Sequence, residues 1–157
     1  MKSKSSILYL IVFFALNFGA LYIGALLSGE GAFSDWYQSS KKAPWTPDGW
    51  VFGAAWSFIM ICFSFFMSIC LIKVEHKKQL IGLFLVQWII NVMWNPTFFY
   101  FHNAVGGLVL ILILTVLIGF IFINYLKTIK YYSLLIFPYL LWLIIASSLN
   151  MYIVIFN

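Results

Sequence analysis

The stretch DWYQSSKKAPWTPDGWVFGAAW, residues 35–56, carries four of the seven tryptophans in a polar segment and the helix start that follows it. Nearly everything outside it is hydrocarbon. A polar segment cannot bury four indoles in a core of its own, so the rings must lie on membrane, on neighbouring helices or on a flat apolar ligand. Within the stretch, Thr46-Pro47-Asp48 reads as a helix entry. Thr46 is the expected N-cap, Pro47 the first helical residue, and Asp48 sits near the positive end of the helix.

Working outward, the chain has 157 residues, 64% of them hydrophobic and 8% charged. Soluble domains carry about 25% charged residues, so this composition is that of an integral membrane protein. The net charge of +5 comes from lysines in short connections, with no face that could track phosphates, and this argues against nucleic-acid binding. Cys62 and Cys70 lie eight residues apart in one apolar run, about 12 Å of helical rise. That spacing is too long for a disulfide between them, and no metal-ligand pattern surrounds either one.

Apolar periodicity predicts an all-α bundle of five transmembrane helices, at about residues 7–28, 48–72, 79–101, 104–125 and 133–156, with the tryptophan-rich loop joining the first two. The whole chain, 1–157, reads as one membrane domain. The first apolar run exceeds a signal-peptide core and lacks a cleavage site, so it is read as a retained span. Along it, Ala20, Gly24 and Ser28 form a small-residue stripe that admits a neighbouring helix, and Asn17 is expected to face inward. In the third span Gln87, Asn91, Trp94, Asn95 and Phe98 share one face, and Pro96 predicts a kink near residues 91–94. The fourth span is nearly featureless and is expected to face mostly lipid, and Ser133 is the expected cap of the fifth.

Five spans would put seven lysines (Lys2, Lys4, Lys73, Lys77, Lys78, Lys127 and Lys130) on one side and only Lys41 and Lys42 on the other. The positive-inside rule then sets the N-terminus in the cytoplasm and the C-terminus, with the tryptophan-rich loop, outside. No charged residue falls in the middle of a span, which weighs against ion-coupled transport. His76 and His102 lack a second ligand at helical spacing, and no triad, paired carboxylates or phosphate loop is present. What remains is an aromatic and amide set in one half of the bundle: Trp36, Tyr37, Trp45 and Trp50; Asn91, Trp94 and Asn95; Tyr139, Trp142 and Ala146. Flat rings with a few neutral amides suit a planar, mostly apolar ligand. The alternatives are an interfacial belt for the tryptophans and interhelical hydrogen bonding for the amides.

Three spaced motifs carry a family resemblance. They are W-Y-x4-K followed by W-x-P-x-x-W (Trp36, Tyr37, Lys42, Trp45, Pro47, Trp50), Q-x3-N-x2-W-x-P-x-F-F (Gln87 to Phe99), and P-Y-x2-W-x3-A-x2-L-N (Pro138 to Asn150). In this order they resemble the tryptophan-rich sensory protein and mitochondrial translocator protein family, TspO. The resemblance implies a five-helix bundle, often a homodimer, in a bacterial cytoplasmic membrane, binding porphyrins such as protoporphyrin IX and benzodiazepine-type ligands. It places pocket positions at Trp50, Asn91, Trp94, Trp142, Ala146 and Leu149, with Trp36 and Trp45 in the covering loop. It implies no resident cofactor or metal, the porphyrin being a ligand. Lys42-Ala43 and Pro47-Asp48 depart from the family's usual loop. No basic residue follows Tyr152, so sterol binding through the animal members' motif is unsupported. Three functions share such a pocket: a tetrapyrrole receptor or carrier, a light- and oxygen-dependent porphyrin-degrading enzyme with Trp50 and Trp142 as electron donors, and a membrane scaffold.

Overall fold

The computed structural model describes the backbone of residues 2–157 and side chains from Ser5 onward, so the side chains of Lys2 and Lys4 lie outside the described residues. The described chain is helical: α1 (Lys2–Leu27), a short α2 (Asp35–Ser39), α3 (Gly49–Lys73), α4 (Lys77–Asn95), α5 (Ala104–Ile129) and α6 (Phe137–Phe156). Four stretches of it are long and apolar enough to cross a membrane. They are Ser5–Phe33, Gly49–Lys73, Lys77–Tyr100 and Ala104–Phe156, the last of which holds both α5 and α6 in 53 residues.

Local chemistry sets the ends of these elements. Gly29 takes φ +62° just after α1, a left-handed turn that closes the helix, while the Ser28 hydroxyl donates back to the Gly24 carbonyl at 2.7 Å. Ser34 caps α2 by accepting from the Tyr37 amide. The entry to α3 differs from the sequence expectation. Asp48, not Thr46, is the N-cap, because Asp48 is still extended (ψ 149°) and its carbonyl accepts the Val51 amide at 2.9 Å. Pro47 therefore lies outside the helix. At the end of α4 the expected kink at residues 91–94 is displaced. The α-helix continues to Asn95, and Pro96–Tyr100 form one π turn, closed by the Phe101 amide on the Pro96 carbonyl. A wider turn absorbs the donor that proline lacks. His102 at φ +53° reverses the chain, and Asn103 caps α5 by accepting from the Gly106 amide at 2.8 Å.

One further expectation is corrected. Ser133 does not cap a helix: it is buried in the 3-10 segment Lys130–Ile136, its hydroxyl donating to the Lys130 carbonyl, and α6 begins only at Phe137. Most of α5 is open, and one stripe of it, Gly107, Ile111, Leu114, Ile118, Ile121, Tyr125 and Ile129, is buried. In a membrane an inward leucine and an outward leucine look alike in sequence, so a featureless helix conceals its packed side.

Polar and small residues set the packing. Asn17 faces inward, donating to the Ser64 hydroxyl of α3 at 2.8 Å. Ala20, Gly24 and Ser28 are all buried, and a Cβ on Gly24 would lie 2.6 Å from Asn95 Nδ2, so the stripe on α1 receives α4. Trp88 Nε1 donates to the Leu16 carbonyl, a second tie between the same helices. At the centre, Phe63 of α3 meets Phe66, Phe84 and Tyr139 with ring centroids 5.3–6.1 Å apart. On the far side α5 and α6 run antiparallel, Asn150 near the end of α6 donating to the carbonyl of Ala104 at the start of α5.

Candidate ligand site

Nine of the ten residues singled out from the sequence fall into three adjoining groups, and Trp50 does not. In the first, Trp94 on α4 stacks on Phe98 of the π turn at 5.1 Å and 10°. Trp36 of α2 meets the edge of Phe98 at 5.4 Å and stacks on His102 at 4.8 Å. Tyr37 adds edge contacts to Phe98 and Phe99, and Lys42 Nζ lies 4.8 Å from the Tyr37 ring centroid. The α1–α3 connection is thus seated on the π turn by aromatic rings, a contact each ring pair stabilises by roughly 1 kcal/mol.

Burial pushes the Tyr37 phenol above its ordinary value. The neutral phenol is favoured in the folded state, so this seat is fully stable below about pH 10 and weakens as pH rises through the higher folded value. Wild-type-minus-Tyr37→Phe difference absorbance is therefore expected to show this phenolate appearing only above the ordinary tyrosine range. An ordinary titration midpoint would contradict the burial.

The second group joins the same connection to α6. Trp45 Nε1 donates to the Ser148 hydroxyl at 3.1 Å and its ring edges onto Tyr152 at 5.7 Å. Lys41 and Asn157 exchange two hydrogen bonds: the Lys41 amide donates to Asn157 Oδ1 at 2.7 Å, and Asn157 Nδ2 donates to the Lys41 carbonyl at 3.2 Å.

The third group is deepest, between α3, α4 and α6. Tyr139, Trp142, Ala146 and Leu149 share one face of α6 with Asn150. Tyr139 is fully buried, donating to Gln87 Oε1 at 3.1 Å, so Gln87 is an interhelical tie. Asn95 Nδ2 donates within its own helix to the Asn91 carbonyl, and Trp94 Nε1 donates to Asn150 Oδ1 at 3.3 Å. Among the described residues two buried polar atoms lack a partner, Trp142 Nε1 and Ser147 Oγ, and the Asn91 amide is unengaged as well. The Trp142 indole N–H is buried, in a residue only 8% exposed, without a partner among the described residues. Asn91 is buried too, and among the described residues no hydrogen bond engages its side-chain amide. A buried donor without an acceptor costs about 1–3 kcal/mol, and this one stands beside the rings most suited to stacking.

Trp50 is placed apart from these groups. It is 74% exposed in the first turn of α3. The α3 residue that meets Trp142 is Phe52, ring centroids 5.5 Å apart, two positions on and about 200° around the helix. Phe52 and Trp56, which edges onto Tyr139, were not singled out as site residues, although with Phe63 they repeat at i, i+4 and i+11 on one helical face. The pairing of Trp45 with Ser148, 103 residues away, left no signal in the sequence.

The sequence matches the TspO/MBR family over residues 9–156. It is 34% identical over 119 residues to Protein CrtK of Rhodobacter capsulatus, covering 73% of this chain and 74% of that one. It is 32% identical over 125 residues to the tryptophan-rich protein TspO of Chlorobaculum tepidum, covering 74% and 77%. Against the human Translocator protein it is 24% identical over 140 residues, covering 87% and 82%. With a helical membrane chain matched along nearly its whole length, the protein belongs to the TspO/MBR family.

Proposed function

We propose that the protein is a membrane receptor or carrier for tetrapyrroles, binding a porphyrin against Trp94, Trp142, Ala146 and Leu149 beneath the α1–α3 connection. The single observation that carries this is the Trp142 indole N–H, buried without an acceptor among aromatic rings. A planar macrocycle with carbonyl or carboxylate acceptors supplies both a stacking partner and the missing hydrogen bond. The free Asn91 amide offers a second orienting contact, and Trp36 and Trp45 would cover the ligand.

The bundle is further proposed to cross the membrane five times. In the stretch Ala104–Phe156 the chain reverses through the 3-10 segment, and α5 and α6, with 26 and 20 residues, are each about a bilayer in length. The lysine bias then sets the N-terminus in the cytoplasm and the α1–α3 connection outside.

Protoporphyrin IX titrated into the detergent-solubilised protein, read by tryptophan quenching in the dark, is expected to saturate. Trp142→Phe keeps a ring but removes the donor, and is expected to weaken binding about five- to tenfold, the worth of one hydrogen bond. Asn91→Ala is expected to act in the same direction. Quenching that never saturates, or affinity unchanged from the unaltered protein in both variants, would dismiss the pocket.

A further inference from the structure

At the opposite end of the bundle from the aromatic site, two depressions adjoin. One, of about 430 Å³, is of mixed polarity and lies between the α3–α4 turn and the end of α5, lined by Lys73, Glu75, His76, Gln79, Asn124 and Thr128 among others. The other, of about 510 Å³, is apolar and runs between α3 and the segment leading into α6, with Phe58, Cys62, Phe65 and Ile69 on one wall and Tyr132 and Leu135 on the other. Lys73 of the first depression and Tyr132 of the second are in contact, the ammonium 4.8 Å from the ring centroid. The α3 wall is a single helical stripe, since Phe58, Cys62, Phe65, Ile69 and Lys73 recur at i, i+4, i+7, i+11 and i+15. It is therefore an apolar track that ends in an ammonium.

We propose that these two depressions form one binding site for an anionic phospholipid, its phosphate at Lys73 and an acyl chain along the Phe58–Ile69 track. Length selects this occupant. From Phe58 to Ile69 the helix rises roughly 16 Å, about half of the ~30 Å hydrocarbon core, which is the depth one leaflet's chains occupy. Charge agrees with length. Lys77, Lys78, Lys127 and Lys130 cluster at this end, and Glu75 is the carboxylate among the polar lining residues. His76, Gln79, Asn124 and Thr128 supply polar groups able to hydrogen-bond phosphate and glycerol oxygens. Phe58 and Phe65 remain open to the lipid side, so a chain enters laterally without any helix moving.

The test is native mass spectrometry of the delipidated protein in detergent, offered phosphatidylglycerol or phosphatidylcholine with identical chains. Phosphatidylglycerol is expected to be retained about fivefold better, the worth of one lysine near an anionic headgroup. Lys73→Gln should abolish that preference, Lys73→Arg should keep it, and Lys41→Gln at the other end should leave it unchanged. Ile69→Trp fills the track while leaving every charge in place, and should lower retention of phosphatidylglycerol in a protein of unchanged helicity. Equal retention of the two lipids, or a preference that survives Lys73→Gln, overturns the proposal. Displacement by inorganic phosphate alone would reduce the site to a phosphate cleft, and a lipid-free dimer protecting the track would assign it to a second copy. Either result also overturns it.

Discussion

Replacing Phe63 by alanine is expected to destabilise the detergent-solubilised protein by about 3 kcal/mol. Phe63 is 0% exposed and packs on Phe66 and Tyr139 and on Phe84 of the neighbouring helix. Removing the ring leaves a void that three large aromatic residues on three helices cannot close together. The expected loss lies at the low end of the range for buried phenylalanines, because a ring displaced into detergent or lipid remains in hydrocarbon. The cavity and the lost dispersion contacts then account for most of it. Phe65→Ala, two positions on and 41% exposed, is the matched control and is expected to change stability by less than about 0.5 kcal/mol. Reversible unfolding of both variants in mixed micelles checks the pair. Equal losses would mean that the interior is not organised around Phe63.

Gly107→Val should cost about 2 kcal/mol, by overpacking rather than by cavity formation. A Cβ at Gly107 would lie 3.0 Å from Asn150 Oδ1 on one side and 3.0 Å from Phe98 Cδ2 on the other. Neither neighbour can withdraw freely. Asn150 is held by its bond to the Ala104 carbonyl and by the Trp94 indole, and Phe98 is stacked on Trp94. The disturbance therefore reaches the candidate ligand site, and porphyrin affinity should fall together with thermal stability. Gly19→Val, where a Cβ meets nothing within 4 Å, should do neither. If Gly107→Val binds porphyrin as tightly as the unaltered protein, the Trp94 and Phe98 pair does not belong to the binding surface.

The sequence was most informative where a side chain was either polar or very small. Asn17 and the stripe of Ala20, Gly24 and Ser28 point to the packed face of α1 because lipid rejects the amide and the small residues gain nothing by facing it. Gln87 could be read as inward for the same reason, and it proves to be tied to Tyr139. The packed face of α5 was illegible, since buried Ile111 and Leu114 alternate with exposed Leu112 and Ile113 and no polarity contrast separates them. Helix entries were misplaced where two plausible caps compete, as with Thr46 and Asp48, or where a 3-10 segment precedes the helix, as between Ser133 and Phe137. At the candidate site, the residues of α4 and α6 could be grouped from helical periodicity. Trp50 could not be oriented, because a rotation of one residue in the start of α3 exchanges its direction with that of its neighbours. Nor could local pattern reveal the tie between Trp45 and Ser148, which depends on how the connection folds back over the bundle.

The paired hydrogen bonds between Lys41 and Asn157 make the α1–α3 connection and the end of α6 a single unit of motion. With Trp45 held at Ser148 and Tyr152 on the same helix, the segment lifts only when it releases all of these contacts with α6. Uncovering the aromatic face is thereby a cooperative event, with one shared opening free energy rather than a series of independent loop excursions. The stability of this connection is thereby tied to residues 103 and 116 positions away along the chain.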